Sequence, residues 1–121
     1  MVKKVRIEQL AEAALRIDNF DLQDLTQEFL RQNPSLDKVS RPQTDDPRAL
    51  AAAASLLELF ALRAGQTPPP WTKEIGPLPE RIYLVKAAAT GSYTRTLCET
   101  QAPEPLRKRG FLAPPDFLKF L

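Results

Sequence analysis

The side chains of this 121-residue chain offer few of the combinations on which enzymes rely. There is no histidine, so the commonest general base and the commonest activator of a nucleophile are both missing. The single cysteine, Cys98, lacks the partner that would activate its thiol, and we interpret it as a small apolar residue of the core. One cysteine cannot form an internal disulfide, which is typical of proteins in a reducing compartment.

Carboxylates and tyrosines are the remaining catalytic candidates. Asp45 and Asp46 are adjacent and could coordinate Mg²⁺, but Asp46 is better explained as a helix cap. The four glycines are scattered and form no phosphate-binding loop. A small enzyme that uses carboxylates with Tyr83 or Tyr93 is therefore only our third hypothesis. The sequence predicts a protein without catalytic residues, metal or cofactor.

Basic residues are concentrated in the C-terminal third. Residues 81–121 contain 7 Lys/Arg against 3 Asp/Glu, whereas residues 1–80 contain 10 against 12. Arg107, Lys108 and Arg109 are consecutive and follow a predicted helical turn. They either face solvent and the negative pole of that helix, or contact an acidic partner or RNA. The net charge of +2 does not by itself favour nucleic acid.

Two segments are candidates for protein binding. Five prolines within residues 66–80 predict a stiff, extended strap. We favour a strap whose Trp71 packs against the chain's own helices, the alternative being a ligand for an adaptor domain. The tail at 117–121 contains Phe117, Phe120 and two leucines, and it either docks in the core or binds a partner or a second copy.

The strongest structural signal is the helix predicted over 46–65. Asp46 is a suitable N-cap, Pro47 suits the first helical position, and Gly65 suits a left-handed C-terminal cap. Apolar residues occupy one face at helical spacing and extend onto the other, so we expect this helix in the core. Those on the main face are Leu50, Ala53, Ala54, Leu57, Phe60, Ala61 and Ala64.

The remaining segments also favour helices. Residues 5–33 contain two amphipathic stretches joined by a short turn, which predicts a helical hairpin. The first helix is expected from Val5 to Ile17, and the second is expected to have Asp21 as its cap and Phe20 packed against Leu25. The hairpin has the outline of a helix-turn-helix, but Asp21, Asp24 and Glu28 on its second helix would repel DNA phosphates. Residues 80–89 predict a helix, and the rest of the chain to residue 121 predicts further short helices followed by the apolar tail. No segment predicts a strand.

Four proline-rich phrases carry a resemblance. Residues 68–72 read PPPWT, 76–80 GPLPE, 102–107 APEPLR and 112–115 LAPP. In these phrases the chain resembles a family of small bacterial proteins of unknown function, and the likeness covers most of its length. Members of that family are often encoded beside predicted nucleotidyltransferases. The resemblance implies a partner protein or an antitoxin-like role, with no assigned catalytic residues.

The combined prediction is a single all-α domain, a small helical bundle around the apolar helix at about 47–64. The first functional hypothesis is a cytoplasmic protein-interaction module that binds another protein or forms a homodimer. Its predicted partner-binding residues are Trp71, Arg107, Lys108, Arg109, Phe117 and Phe120. The alternative is nucleic-acid binding through the basic C-terminal third. No membrane association is expected, because the longest apolar run contains Glu58 and is too short to span a bilayer.

Overall fold

The computed structural model describes residues 4–118. Over this range the chain is mostly helical, as predicted, with one small sheet where the sequence predicts a helix. The α-helices are α1 (Ile7–Leu15), α2 (Asn19–Gln32), α3 (Pro47–Ala64), α4 (Ala87–Thr90), α5 (Ser92–Gln101) and α6 (Glu104–Arg107). Two 3₁₀-helices cover Leu36–Lys38 and Pro70–Glu74, and the strands are β1 (Ile82–Tyr83) and β2 (Phe111–Leu112). None of the helices described has both the length and the apolar character needed to cross a membrane.

Helix α3 forms with both of the predicted caps. The Asp46 side chain accepts a hydrogen bond from the backbone N–H of Arg48 at 3.0 Å, and Pro47 occupies the first helical position. Gly65 has a φ of 68°, the left-handed conformation that glycine adopts most readily. Residues 51–61 are all buried, because α1, α6 and both 3₁₀-helices pack against α3.

Helices α1 and α2 form the predicted hairpin, but the turn between them differs from the prediction. Helix α1 ends in a Schellman motif, in which the N–H groups of Ile17 and Asp18 bond the carbonyls of Ala14 and Ala13. Ile17 therefore has a φ of 56°, which is rare for a β-branched residue. Asp18 caps α2, and Phe20 is 88% exposed.

The prediction of a helix over 80–89 is wrong for its first half. Strands β1 and β2 pair in parallel, with Ile82 opposite Phe111 and Tyr83 opposite Leu112. The bonds Ile82 N–H to Gly110 carbonyl (2.8 Å) and Leu84 N–H to Leu112 carbonyl (2.9 Å) extend this pairing. An apolar run this short does not reveal from its spacing whether it is helix or strand, and the extended strap that precedes it favours a strand.

Gly110 provides a test of this sheet. Its φ is 96°, and a Cβ atom placed there would lie 2.6 Å from the carbonyl oxygen of Glu80. We expect Gly110→Ala to lower the free energy of unfolding by about 1–3 kcal/mol, because the backbone must strain or separate from β1. The matched change Gly76→Ala meets no atom within 4 Å and should stay within about 1 kcal/mol of wild type. Equal denaturation midpoints for the two variants would contradict this account.

Candidate functional site

Arg109 does not belong to an exposed basic patch, which corrects the sequence prediction. Its side chain is 2% exposed and forms an ion pair with Glu58 of α3, which is 8% exposed. The pair is bidentate: Nη1 donates to Oε1, and Nη2 donates to Oε2 at 3.2 Å. Arginine is suited to this role because its planar guanidinium matches the two oxygens of a carboxylate.

The same guanidinium also binds the strap. Its Nη2 donates to the Thr72 carbonyl at 2.7 Å, its Nε to the Ile75 carbonyl at 3.1 Å, and its Nη1 to the Pro105 carbonyl at 3.4 Å. Arg109 therefore joins the strap and α6 to Glu58 on α3. We call this set of contacts the Arg109 clamp.

Lys108 completes the clamp at its solvent side. Its Nζ lies 2.8 Å from Oε1 of Glu58, while its own side chain is about half exposed. Burial alone would raise the pKa of Glu58, but the hydrogen bonds from Arg109 and Lys108 outweigh burial and lower that pKa below its usual value. Glu58 is thus held in its charged form.

Two further cations of the C-terminal third, Arg107 and Arg95, also have partners within the chain. Arg107 is exposed and pairs with Glu104 at 2.7 Å, three residues away in α6. Arg95 donates from Nε to the Ala88 carbonyl at 3.0 Å. The basic excess of this third is therefore used largely in local and buried contacts, which the charge count alone does not reveal.

The predicted aromatic site residues are used mainly inside the fold. Trp71 is partly buried, and its Nε1 donates to the Val39 carbonyl at 2.8 Å, so the strap packs against the linker at 34–45. Phe117 is 6% exposed, and its carbonyl accepts a bond from Arg63 at 2.6 Å. Phe120 lies outside the described residues, so its role stays a prediction.

A mainly apolar groove lies beside α4. We call it the α4 groove; its volume is about 500 Å³. It is lined by Ile17, Tyr83, Val85, Lys86, Ala88, Ala89 and Arg95. Sequence reasoning missed this surface because it placed Tyr83 and Val85 in a helix and expected Ile17 to continue α1.

Local contacts hold the walls of the α4 groove in place. The Schellman motif after α1 fixes Ile17, and the hydroxyl of Tyr83 donates to Glu99 on α5. This hydrogen bond is the main reason that the pKa of Tyr83 is raised, so its phenol stays protonated. Arg95 bonds carbonyls of α4 from the opposite side. The groove is thus built from four separate elements.

Exposed aromatic side chains flank the groove residues in the sequence. Phe20 follows Ile17 by three residues and is 88% exposed. Tyr93 precedes Arg95 by two residues and is 77% exposed. Neither side chain is among the residues that line the groove, and Tyr93 and Arg95, two residues apart in α5, lie on different faces of that helix. Their exposure is therefore a separate feature of the surface.

The chemistry available to these residues is limited. Within residues 4–118 no group of three or more His, Cys, Asp or Glu side chains is arranged to hold a metal ion. Cys98 is buried beside Ala88 and Leu112, as the sequence predicts, and burial raises the pKa of its thiol.

Comparison of the chain with protein-family models, with curated proteins and with solved structures gave no match in any of the three.

The Arg109 clamp predicts a large difference between two neighbouring arginines. Arg109→Met should lower the free energy of unfolding by about 3–5 kcal/mol, because it leaves buried polar groups without their partner. Arg107→Met removes an exposed pair and should cost about 0–1 kcal/mol. The double variant Glu58→Leu/Arg109→Met should recover part of the loss. Chemical denaturation measures all three, and similar losses for the two single variants would refute the clamp.

The clamp also predicts a dependence of stability on pH. The folded pKa of Glu58 lies below its usual value of 4.5, so its contribution is complete above that pH and is lost as the pH falls through the folded pKa. The free energy of unfolding should decrease more steeply below about pH 4.5 in the wild type than in Glu58→Leu/Arg109→Met. Denaturation curves measured across this range provide the comparison, and equal slopes would contradict it.

Proposed function

We propose that this chain is a small helical bundle organised about α3 that acts as a non-catalytic protein-interaction module, with the α4 groove as its docking surface. The observation that carries the proposal is the mainly apolar groove beside α4. Apolar concavities are typical of surfaces that bind other molecules.

The contacts of Trp71, Phe117 and Arg109 within the fold argue against the strap as the docking surface. The indole N–H of Trp71 is already bonded to Val39, and Phe117 is buried. Arg109 is enclosed by the clamp. These side chains could reach a partner only by breaking contacts within their own fold. The α4 groove requires no such rearrangement.

The backbone of Ile17 gives further support. A non-glycine residue in the left-handed region costs roughly 1–2 kcal/mol, and Ile17 places its side chain in the groove wall at this cost. Glycine would satisfy the same turn without strain. Strained backbone is often retained where a side chain serves a function, which is consistent with a role for Ile17 in binding.

The chemistry of the groove defines the partner. Five of its seven lining residues have apolar or aromatic side chains, and Lys86 and Arg95 supply the cations. The partner would present an apolar segment with an acidic residue near it. The contact would extend beyond the groove itself, since stable interfaces bury roughly 1,200–2,000 Å² in total. The partner could be a different protein or a second copy of this chain.

The resemblance to the bacterial family bears on the biological role of the chain. It supports an antitoxin-like partner role beside a nucleotidyltransferase, and this role rests on the resemblance alone. The cytoplasmic location is proposed from the single cysteine. Four of the seven cations of residues 81–121 have partners within the chain, which weakens the support for the nucleic-acid alternative; they are Arg95, Arg107, Lys108 and Arg109. We therefore do not carry that alternative forward.

Two alanines of α4 allow a matched test. Ala89 lines the groove and Ala87 does not, and both are exposed. Ala89→Glu should reduce capture of a specific protein by about tenfold or more, because a charge enters an apolar contact. Ala87→Glu should capture it as the wild type does. Quantitative affinity capture from lysate of the source cells, with sedimentation velocity for self-association, provides the measurement. Identical recovery and identical oligomeric state for all three proteins would overturn the proposal.

A further inference from the structure

A second groove, of different character, lies at the other end of α1. It has a volume of about 310 Å³ and is bounded by the residues that lead into α1 and by the linker after the first 3₁₀-helix. Four cations line it, Lys4 and Arg6 from one wall and Lys38 and Arg41 from the other. We call it the basic groove. Its walls are some thirty residues apart in the sequence, so no local pattern reveals it.

We propose that the basic groove binds an acidic segment of a partner protein, with the partner's carboxylates lying between the two pairs of cations. This inference goes beyond the proposed function, because it concerns a separate surface and a different chemistry. Helix α1, about 14 Å long, separates the basic groove from the α4 groove. Either surface could therefore bind without the other.

Charge complementarity is the first support for this occupant. The four cations face one carboxylate within the groove, that of Glu8. None of the four forms an ion pair with another residue in the described part of the chain. Cations grouped in a concavity repel one another, and the concave shape focuses their field. An acidic ligand would relieve this repulsion.

The groove is also fixed in shape before any ligand binds. The backbone N–H of Val5 donates to Oε1 of Gln32 at 2.8 Å, which holds the first wall against α2. The carbonyl of Val39 accepts the bond from Trp71, which holds the second wall against the strap. Preformed walls lower the entropy that binding must overcome. Trp71 thus contributes to this site as a positioning residue.

An acidic peptide suits the groove better than a nucleic acid does. Single-stranded nucleic acids rely on exposed aromatic side chains for base stacking, and the one aromatic residue in the lining, Phe29, is 1% exposed. Glu8 lies in the wall, and Glu12 lies on the adjoining surface of α1. Glu8 can accept a hydrogen bond from a peptide N–H, a donor that phosphate groups lack.

The test measures the affinity of the full chain for a fluorescein-labelled hexaglutamate peptide by fluorescence anisotropy. The groove variant is Lys38→Glu/Arg41→Glu. Its matched control is Lys73→Glu/Arg81→Glu, which makes the same change in net charge at exposed residues outside the groove. A labelled decauridine RNA serves as the competing class of ligand, and circular dichroism verifies that all proteins are folded.

We expect the wild type to bind the peptide with an affinity that falls as salt is added. The groove variant should bind about tenfold or more weakly, and the control less than about threefold more weakly. Equal losses in the two variants would mean that only net charge matters and would overturn the proposal. Absence of peptide binding at low salt would overturn it too. Tighter binding of the RNA, lost in the groove variant alone, would assign the groove to nucleic acid instead.

Discussion

The ion pair between Glu58 and Arg109 is the contact on which the arrangement of the chain depends. Burying two charges is unfavourable unless each finds partners, and Arg109 forms five hydrogen bonds, as many as its guanidinium has N–H groups. Three of these reach backbone carbonyls of the strap and of α6. The regular secondary structure of the strap is one short 3₁₀-helix, Pro70–Glu74, and Arg109 adds long-range contacts to the carbonyls of Thr72 and Ile75.

The clamp also determines which cations remain exposed on the surface. It uses Arg109 fully and Lys108 in part, so that Arg109 is removed from solvent while Lys108 stays about half exposed. The strap then holds the linker through Trp71, and the linker supplies one wall of the basic groove. The two candidate binding surfaces thus lie at opposite ends of α1, away from the residues whose sequence first suggested binding.

Prediction from the sequence was most accurate where the signals are local. The caps and length of α3 follow from Asp46, Pro47 and Gly65. Cys98 is buried, in agreement with its interpretation as a small apolar residue of the core. The prediction was wrong for β1, because a two-residue parallel strand owes its existence to β2, nearly thirty residues later. Neither groove was predicted, because each is assembled from segments that are distant in the sequence and adjacent only after folding.

The sequence by itself determined the helical character of the chain, the caps of α3, the stiffness of the strap and the scarcity of catalytic side chains. These properties depend on residue identity and on contacts within a few positions. Only the tertiary structure decided that Arg109 is buried and that residues 82–83 pair with residues 111–112. It also decided that the cations of residues 4–6 and 38–41 line the same groove. The physical reason is that the role of a charged side chain depends on the groups packed around it. Those groups come from residues that are distant in the sequence.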